Sequence, residues 1–209
     1  MVGARLVGTQ LLDRVDVPSE LYVVAVYVLL FGGLLLTCRH VSERFGSGDP
    51  ISDFGLSWRP RDLWSGLGAC LLARLLGAIV LLPFAGHLDK MRRLTEGLEH
   101  VPTSTFVIFA ITAVVGAPIV EELVFRGMLM RSLTERFGPH RAPLMQAVLF
   151  GMYHMTPGLG FTNVPYALSL AAAGFALGRV AARHGRLGPS STAHFYFNVM
   201  GVLILWAAR

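Results

Sequence analysis

Six apolar runs divide the chain: about Leu21 to Cys38, Leu63 to Gly86, Thr105 past Pro118 towards Met130, Ala142 to Met155, Val164 to Ala182, and Leu187 to Ala208. About 20 apolar residues carry a helix across the hydrocarbon layer. The runs therefore predict an all-α fold, a polytopic transmembrane helix bundle of about six spans, the fourth of them short. Polar segments join the runs. Arg39 to Asp62 is the longest and reads as a loop, with Gly46, Gly48 and Pro50 as turn formers. His87 to Pro102 has mixed charge and is compatible with a short surface helix. Leu129 to Phe137 reads as an amphipathic turn or two at the membrane interface, broken by Gly138-Pro139. Thr156 to Gly160 is a tight breaker. Met1 to Glu20 reads as a polar lead-in that lacks the basic start and apolar core of a signal peptide.

Composition agrees with lipid as the main solvent. Hydrophobic residues make up 54% and charged residues 15%, where a soluble domain carries about 25% charged. The 18 basic residues, all arginine except Lys90, sit in short clusters between the apolar runs. That distribution excludes a nucleic-acid-binding stripe and fits membrane loops. Ten arginines, from Arg39 to Arg186, fall in the loops after runs one, three and five. Arg5, Arg14, Lys90, Arg92, Arg93 and Arg209 fall on the other side. The bias assigns the first face to the cytoplasm of a multi-pass inner-membrane protein. Cys38 and Cys70 lie in or beside apolar runs and read as fillers.

Ionisable groups inside spans are costly, about 2.5–3.5 kcal/mol or more at a helix centre, so each needs a partner or a task. Glu122 and Arg126 are four apart, on one helix face, and form a supporting ion pair. Glu121 is rotated from its neighbour by about 100° and is left to exchange protons. His154 closes the fourth run, and His194 and Asn198 lie one turn apart on the sixth. Three helices thus present polar groups at membrane depth. In one version Glu121 is the general base on a water that His154 helps to hold, and His194 and Asn198 stabilise the oxyanion. In the other a zinc ion sits between Glu121, His154 and His194, a ligand set with an open position. Both fit the residues. Structural cross-linking by His194 and Asn198, and a proton-coupled transporter that uses the buried acids as a relay, are the competing readings. Arg74, in the middle of the second run, is open between neutralising a glutamate and binding a lipid or a substrate carboxylate. His40, His87, His100, His140 and His184 read as loop residues. The aromatic and methionine positions in the runs read as lipid-facing or packing, and Gly174 with Gly178 as a close-approach pair.

The run Ala117-Pro118-Ile119-Val120-Glu121-Glu122-Leu123-Val124-Phe125-Arg126-Gly127 resembles the E-E-x-x-x-R motif of the CAAX protease and bacteriocin-processing (CPBP or Abi) family. Phe150 to His154 is similar to its F-x-x-x-H motif, and His194 to Asn198 to its H-x-x-x-N motif. The resemblance covers roughly Thr105 to Met200. It implies residues 104–209 as a catalytic membrane core and residues 1–103 as a two-span region of no named likeness. It further implies an intramembrane endopeptidase resembling type 2 CAAX prenyl proteases, which remove a C-terminal tripeptide after prenylation. Glu121 would be the base, His154 beside it, His194 and Asn198 the oxyanion site, and Glu122 and Arg126 the support. Members are described both as metalloproteases and as glutamic peptidases. The expected partners are membrane lipid and a protein or peptide substrate, with no nucleic acid. No cofactor is required in the glutamate mechanism, and zinc in the other. A non-proteolytic scaffold or immunity protein that kept the fold is the alternative.

Overall fold

The computed structural model describes residues 18–87, 100–155 and 160–209. Every regular element among them is helical. Helix α1 is Ser19–Phe45 and the short α2 is Pro50–Phe54. Helix α3 is Asp62–Leu81 and continues as a 3-10 turn over Leu82–His87. Helix α4 runs Thr103–Phe137, α5 Ala142–Tyr153, α6 Asn163–His184 and α7 Gly188–Ala207. Among the described residues four helices are long and apolar enough to cross a membrane: α1, α3 with its extension to Gly86, α4 and α6. The fourth and sixth runs also form helices. However, α5 has only 12 residues, and the first half of α7 is Ser190, Ser191, Thr192 and His194, all buried. The expected surface helix between His87 and Pro102 and most of the Thr156 to Gly160 breaker lie outside the described residues.

Lipid as solvent explains where the apolar surface goes. In α1 only Tyr27, Cys38 and Ser42 are buried, while Leu29 and Leu36 point outward with Trp64, Leu75, Leu203 and Ile204 of other helices. A water-soluble bundle would hide that face. The three tryptophans, Trp58, Trp64 and Trp206, lie at or just beyond helix ends and are exposed, as expected of an aromatic belt. Buried contacts between helices use small residues: Ala69, Cys70 and Ala73 of α3 pack on Ala173, Ala176 and Leu177 of α6 and Ala193 of α7. Small side chains let the backbones approach, and dispersion then replaces the hydrophobic drive that lipid removes. Both cysteines are free and buried, consistent with filler roles.

The segment expected as a loop, Arg39 to Asp62, is largely helical. Helix α1 continues through Arg39 and His40 to Phe45, held by the Arg39–Glu43 pair at 2.7 Å and stopped at Gly46. Helix α2 follows. The Ser42 hydroxyl and the Ser47 N–H and hydroxyl donate to the Asp53 carboxylate. These donors, Ser42 foremost, hold that carboxyl below its ordinary range. Likewise His184 belongs to α6 rather than to a loop.

Polar clamps fasten both ends of the bundle. At one end Arg131 donates to the carbonyls of Asp53 (2.8 Å) and Phe54 (3.1 Å). There too, Arg186 grips Asp62 with two N–H bonds of 2.5 and 2.6 Å. Asp62 also accepts from the Arg59 N–H at 2.8 Å. At the other end Ser104 donates to Glu20, Ser19 shares a bond with Thr105, and Arg209 donates to the Val101 carbonyl. The Asp62–Arg186 clamp sets α3 beside α7. Asp62→Ala leaves a guanidinium and a backbone N–H without their acceptor, so a loss of about 2–4 kcal/mol is expected. Thermal unfolding in detergent checks this. Arg186→Ala alone should match it, and the double variant should cost no more than either single one.

Candidate active site

The site is assembled from α4, α5 and α7. Helix α4 is not a regular α-helix throughout. It widens to π-helical turns at Thr112–Gly116 and Leu123–Leu129, and the carboxylate pair sits on the α-helical step between them. Pro118 explains the first widening. It brings no N–H and crowds the preceding turn. The Ala117 N–H instead reaches back five residues to the Thr112 carbonyl. The Ala113 carbonyl then has no helical donor, because Ala117 is committed elsewhere and the next candidate is the proline. Asn198 of α7 fills that gap, its Nδ2 donating to the Ala113 oxygen at 2.7 Å. Such widened turns occur frequently at functional sites.

Glu122 and Arg126 pair as the i, i+4 spacing predicts, at 2.8 Å and with both side chains fully buried. The pair is wired further. Arg126 donates to the Gly174 carbonyl of α6 at 3.2 Å and lies 4.4 Å over the Phe150 ring. Gln146 of α5 donates to the same carbonyl at 2.9 Å. The helices must be close for this. A Cβ on Gly151 would stand 2.3 Å from the Ala167 carbonyl oxygen, and one on Gly178 would stand 2.4 Å from the Gln146 amide nitrogen. Gly178 thus serves close approach, as expected of the small-residue pair. Gln146 was not singled out by sequence reasoning, since a lone amide in an apolar run carries no spacing signal.

His154 caps the end of α5. Its Nδ1 lies 2.8 Å from the Phe150 carbonyl, one of the carbonyls a helix end leaves unpaired. His194 Nδ1 lies 3.1 Å from Glu122 Oε1. A carbonyl and a carboxylate only accept, so each Nδ1 carries the proton and each Nε2 is turned the other way. Both Nε2 atoms stand 3.8 Å from the same atom, Oε2 of Glu121. Glu121 is 2% exposed. Carboxylate and imidazoles from three helices therefore converge, with a separation that one bridging water spans through ordinary bonds of about 2.8 Å. Glu121, Glu122, Arg126, His154 and His194 form one connected group. Asn198 is attached through α4 at Ala113 and is half-buried.

Three tyrosines lie within electrostatic reach of Glu121: Tyr27 of α1, Tyr153 of α5 and Tyr166 of α6. As aromatic positions in the apolar runs they were expected to face lipid or to pack. Only Tyr153, next to His154, had a position that pointed to the site. Its hydroxyl is buried with no hydrogen-bond partner among the described residues, and its ring packs edge-on to His154.

The donor types suit zinc. An imidazole whose Nδ1 is held by a carboxylate or a carbonyl is the usual arrangement around a ligated metal. As placed, no group of three His, Cys, Asp or Glu among the described residues has the spacing of a metal site.

The Asn198 bond yields a separable test. Asn198→Ala orphans a carbonyl at membrane depth, a cost of about 1–3 kcal/mol, read as a lower unfolding midpoint. If activity instead falls with the midpoint unchanged, the amide acts on the reaction and not on α4.

Comparison with known proteins adds one match. Residues 103–200 fit the family model for Rce1-like type II CAAX prenyl endopeptidases. No curated protein and no solved structure matches. The matched segment is just under half of the chain. It starts with α4 and contains Glu121, Glu122, Arg126, His154, His194 and Asn198, while α1 and α3 lie before it. Through this segment the chain is similar to Rce1-like type II CAAX prenyl endopeptidases, and its described residues form helices, four of them long and apolar enough to cross a membrane.

Proposed function

We propose that the protein is an intramembrane endopeptidase of the CAAX type, in which Glu121 activates a water for attack on a peptide bond. The observation that carries this is the convergence of two Nε2 atoms on Glu121 Oε2, each at 3.8 Å. Glu121 takes a proton from the water, and the water oxygen bonds to the scissile carbonyl carbon. His154 Nε2 orients that water. The oxyanion gains stabilisation from His194, which donates from Nε2 when protonated while Glu122 balances its charge at Nδ1, and from the second N–H of Asn198. Glu121 returns the proton to the amine nitrogen as the carbon–nitrogen bond breaks. The Glu122–Arg126 pair holds His194 and keeps α4, α5 and α6 in register. The reading places the protein in the inner membrane.

A second reading is favoured by the engaged Nδ1 atoms: zinc held by Glu121, His154 and His194, where it would activate the water as a Lewis acid. Elemental analysis of the purified protein, with His154→Ala as control, separates the two. One zinc per chain that disappears in the variant replaces the glutamate mechanism. Comparing the C-termini of the host's membrane proteins with and without Glu121→Ala tests the activity itself. Termini that shorten only with Glu121 intact support proteolysis. An unchanged set of termini leaves a scaffold, and pH-gradient-coupled flux in liposomes would indicate a transporter.

A further inference from the structure

The atoms that meet at Glu121 Oε2 are all acceptors. With Nδ1 of His154 given to the Phe150 carbonyl and Nδ1 of His194 to Glu122, both Nε2 atoms turn lone pairs towards the carboxylate oxygen. A water suits such a place, because it brings its own O–H donors. An oxyanion needs the opposite, donors already in position. His194 donates from Nε2 only when protonated, and Asn198 has one of its two N–H groups committed to the Ala113 carbonyl.

Tyr153 carries a neutral donor with nothing to donate to. Of the three tyrosines within electrostatic reach of Glu121, it alone has a buried hydroxyl left without a partner among the described residues. Buried polar groups are normally paired, and an unpaired one is destabilising. A phenylalanine would fill the same space without that loss, so packing does not account for the oxygen. The ring is also in the right place. It stands edge-on to the His154 imidazole, with centroids 5.1 Å apart, and packs on Phe125 at 5.4 Å. Phe125 follows Glu121 by four residues, about one turn along α4. The phenol thus lies between the end of α5 and the turn of α4 beside the carboxylate.

We propose that Tyr153 is a further catalytic residue, whose O–H donates to the oxygen of the scissile carbonyl and holds the oxyanion as the water adds. This rests on the endopeptidase reading above. The phenol keeps its proton throughout, so it takes nothing from the transfer between Glu121 and the leaving amine. A hydrogen bond to the neutral carbonyl is weak and one to the oxyanion is charge-assisted, so the contact acts on turnover and not on substrate binding. A hydroxyl that is paired with a buried water and serves only the fold is the rival role.

The test uses full-length protein in phosphatidylcholine vesicles and a peptide copied from a host C-terminus that shortens only with Glu121 intact. Tyr153→Phe deletes the hydroxyl and keeps the ring. Its kcat should fall by about 10²-fold, the usual loss for one oxyanion donor, with KM held within about 2-fold. Its unfolding midpoint in detergent should stay or rise, since an unpaired hydroxyl leaves the interior. A phosphonate analogue of the same peptide, whose tetrahedral oxygens stand for the oxyanion, should lose affinity by the same factor as kcat/KM. A kcat within about 2-fold of the parent, or phosphonate affinity that survives the substitution, overturns the proposal. So does a loss carried by KM alone, which marks a ground-state contact, or a midpoint that falls with activity, which marks a hydroxyl bonded within the fold. Failure of the endopeptidase reading shows separately, as host C-termini that do not depend on Glu121, and leaves the hydroxyl no reaction to serve.

Discussion

Glu121→Gln is expected to reduce peptide cleavage by about 10²- to 10⁴-fold, the usual contribution of a general base, while the bundle inserts and unfolds almost as before. The substitution keeps shape and volume and removes only the charge and the basicity. Glu121 meets the two imidazoles at 3.8 Å, too far for a direct hydrogen bond, so little structural energy rests on it. Glu122, its neighbour, is the reverse case. It accepts from Arg126 at 2.8 Å and from His194 at 3.1 Å, so Glu122→Gln should lower both the unfolding midpoint and activity. The pair of variants therefore separates chemistry from support. Equal loss of stability in both, or cleavage retained in Glu121→Gln, would remove Glu121 from the reaction.

That these adjacent acids face different neighbours was legible in the sequence, because a 100° step per residue must turn them apart. The partners of each acid were less so. The i, i+4 link from Glu122 to Arg126 is local and readable. The link from Glu122 to His194 joins residues 72 apart and depends on how α7 slides along α4. The contacts that seat α7 against α3, Asp62–Arg186 and small residues such as Gly66, carry no motif either. Pro118 was visible, but the run through it was read as continuous, and its effect, a widened turn with an orphaned carbonyl at Ala113, appears only in three dimensions. Asn198 was read as an oxyanion donor or as a helix cross-link, and its one described bond, to that carbonyl, cross-links α7 to α4. The end of α1 was misjudged for a simpler reason. Apolar patterning marks where a helix leaves lipid, and α1 leaves lipid before it ends. Arg39, His40, Glu43 and Arg44 are good residues for a helix in water.

Arg126→Met should be the most damaging single substitution for the fold. Both members of the ion pair are fully buried, so deleting the cation leaves the Glu122 charge with His194 as its remaining partner. One Glu122 oxygen already lacks a hydrogen bond. Breaking a buried pair from one side costs about 3–5 kcal/mol, comparable with a small domain's whole margin of stability. The Gly174 carbonyl is partly spared, since Gln146 still donates to it at 2.9 Å. Arg126→Lys should rescue little, because a point charge cannot reach Glu122, the Gly174 carbonyl and the Phe150 ring together. The informative variant is the double one, Glu122→Gln with Arg126→Met. It removes both charges, and a neutral replacement of a buried pair is often close to neutral in stability. Stability should return to within about 1–2 kcal/mol of the parent while cleavage stays low, because His194 keeps an acceptor at Nδ1 but loses the carboxylate charge beside it. Stability that stays as low in the double variant as in Arg126→Met would show that the guanidinium acts through packing and not by neutralising Glu122.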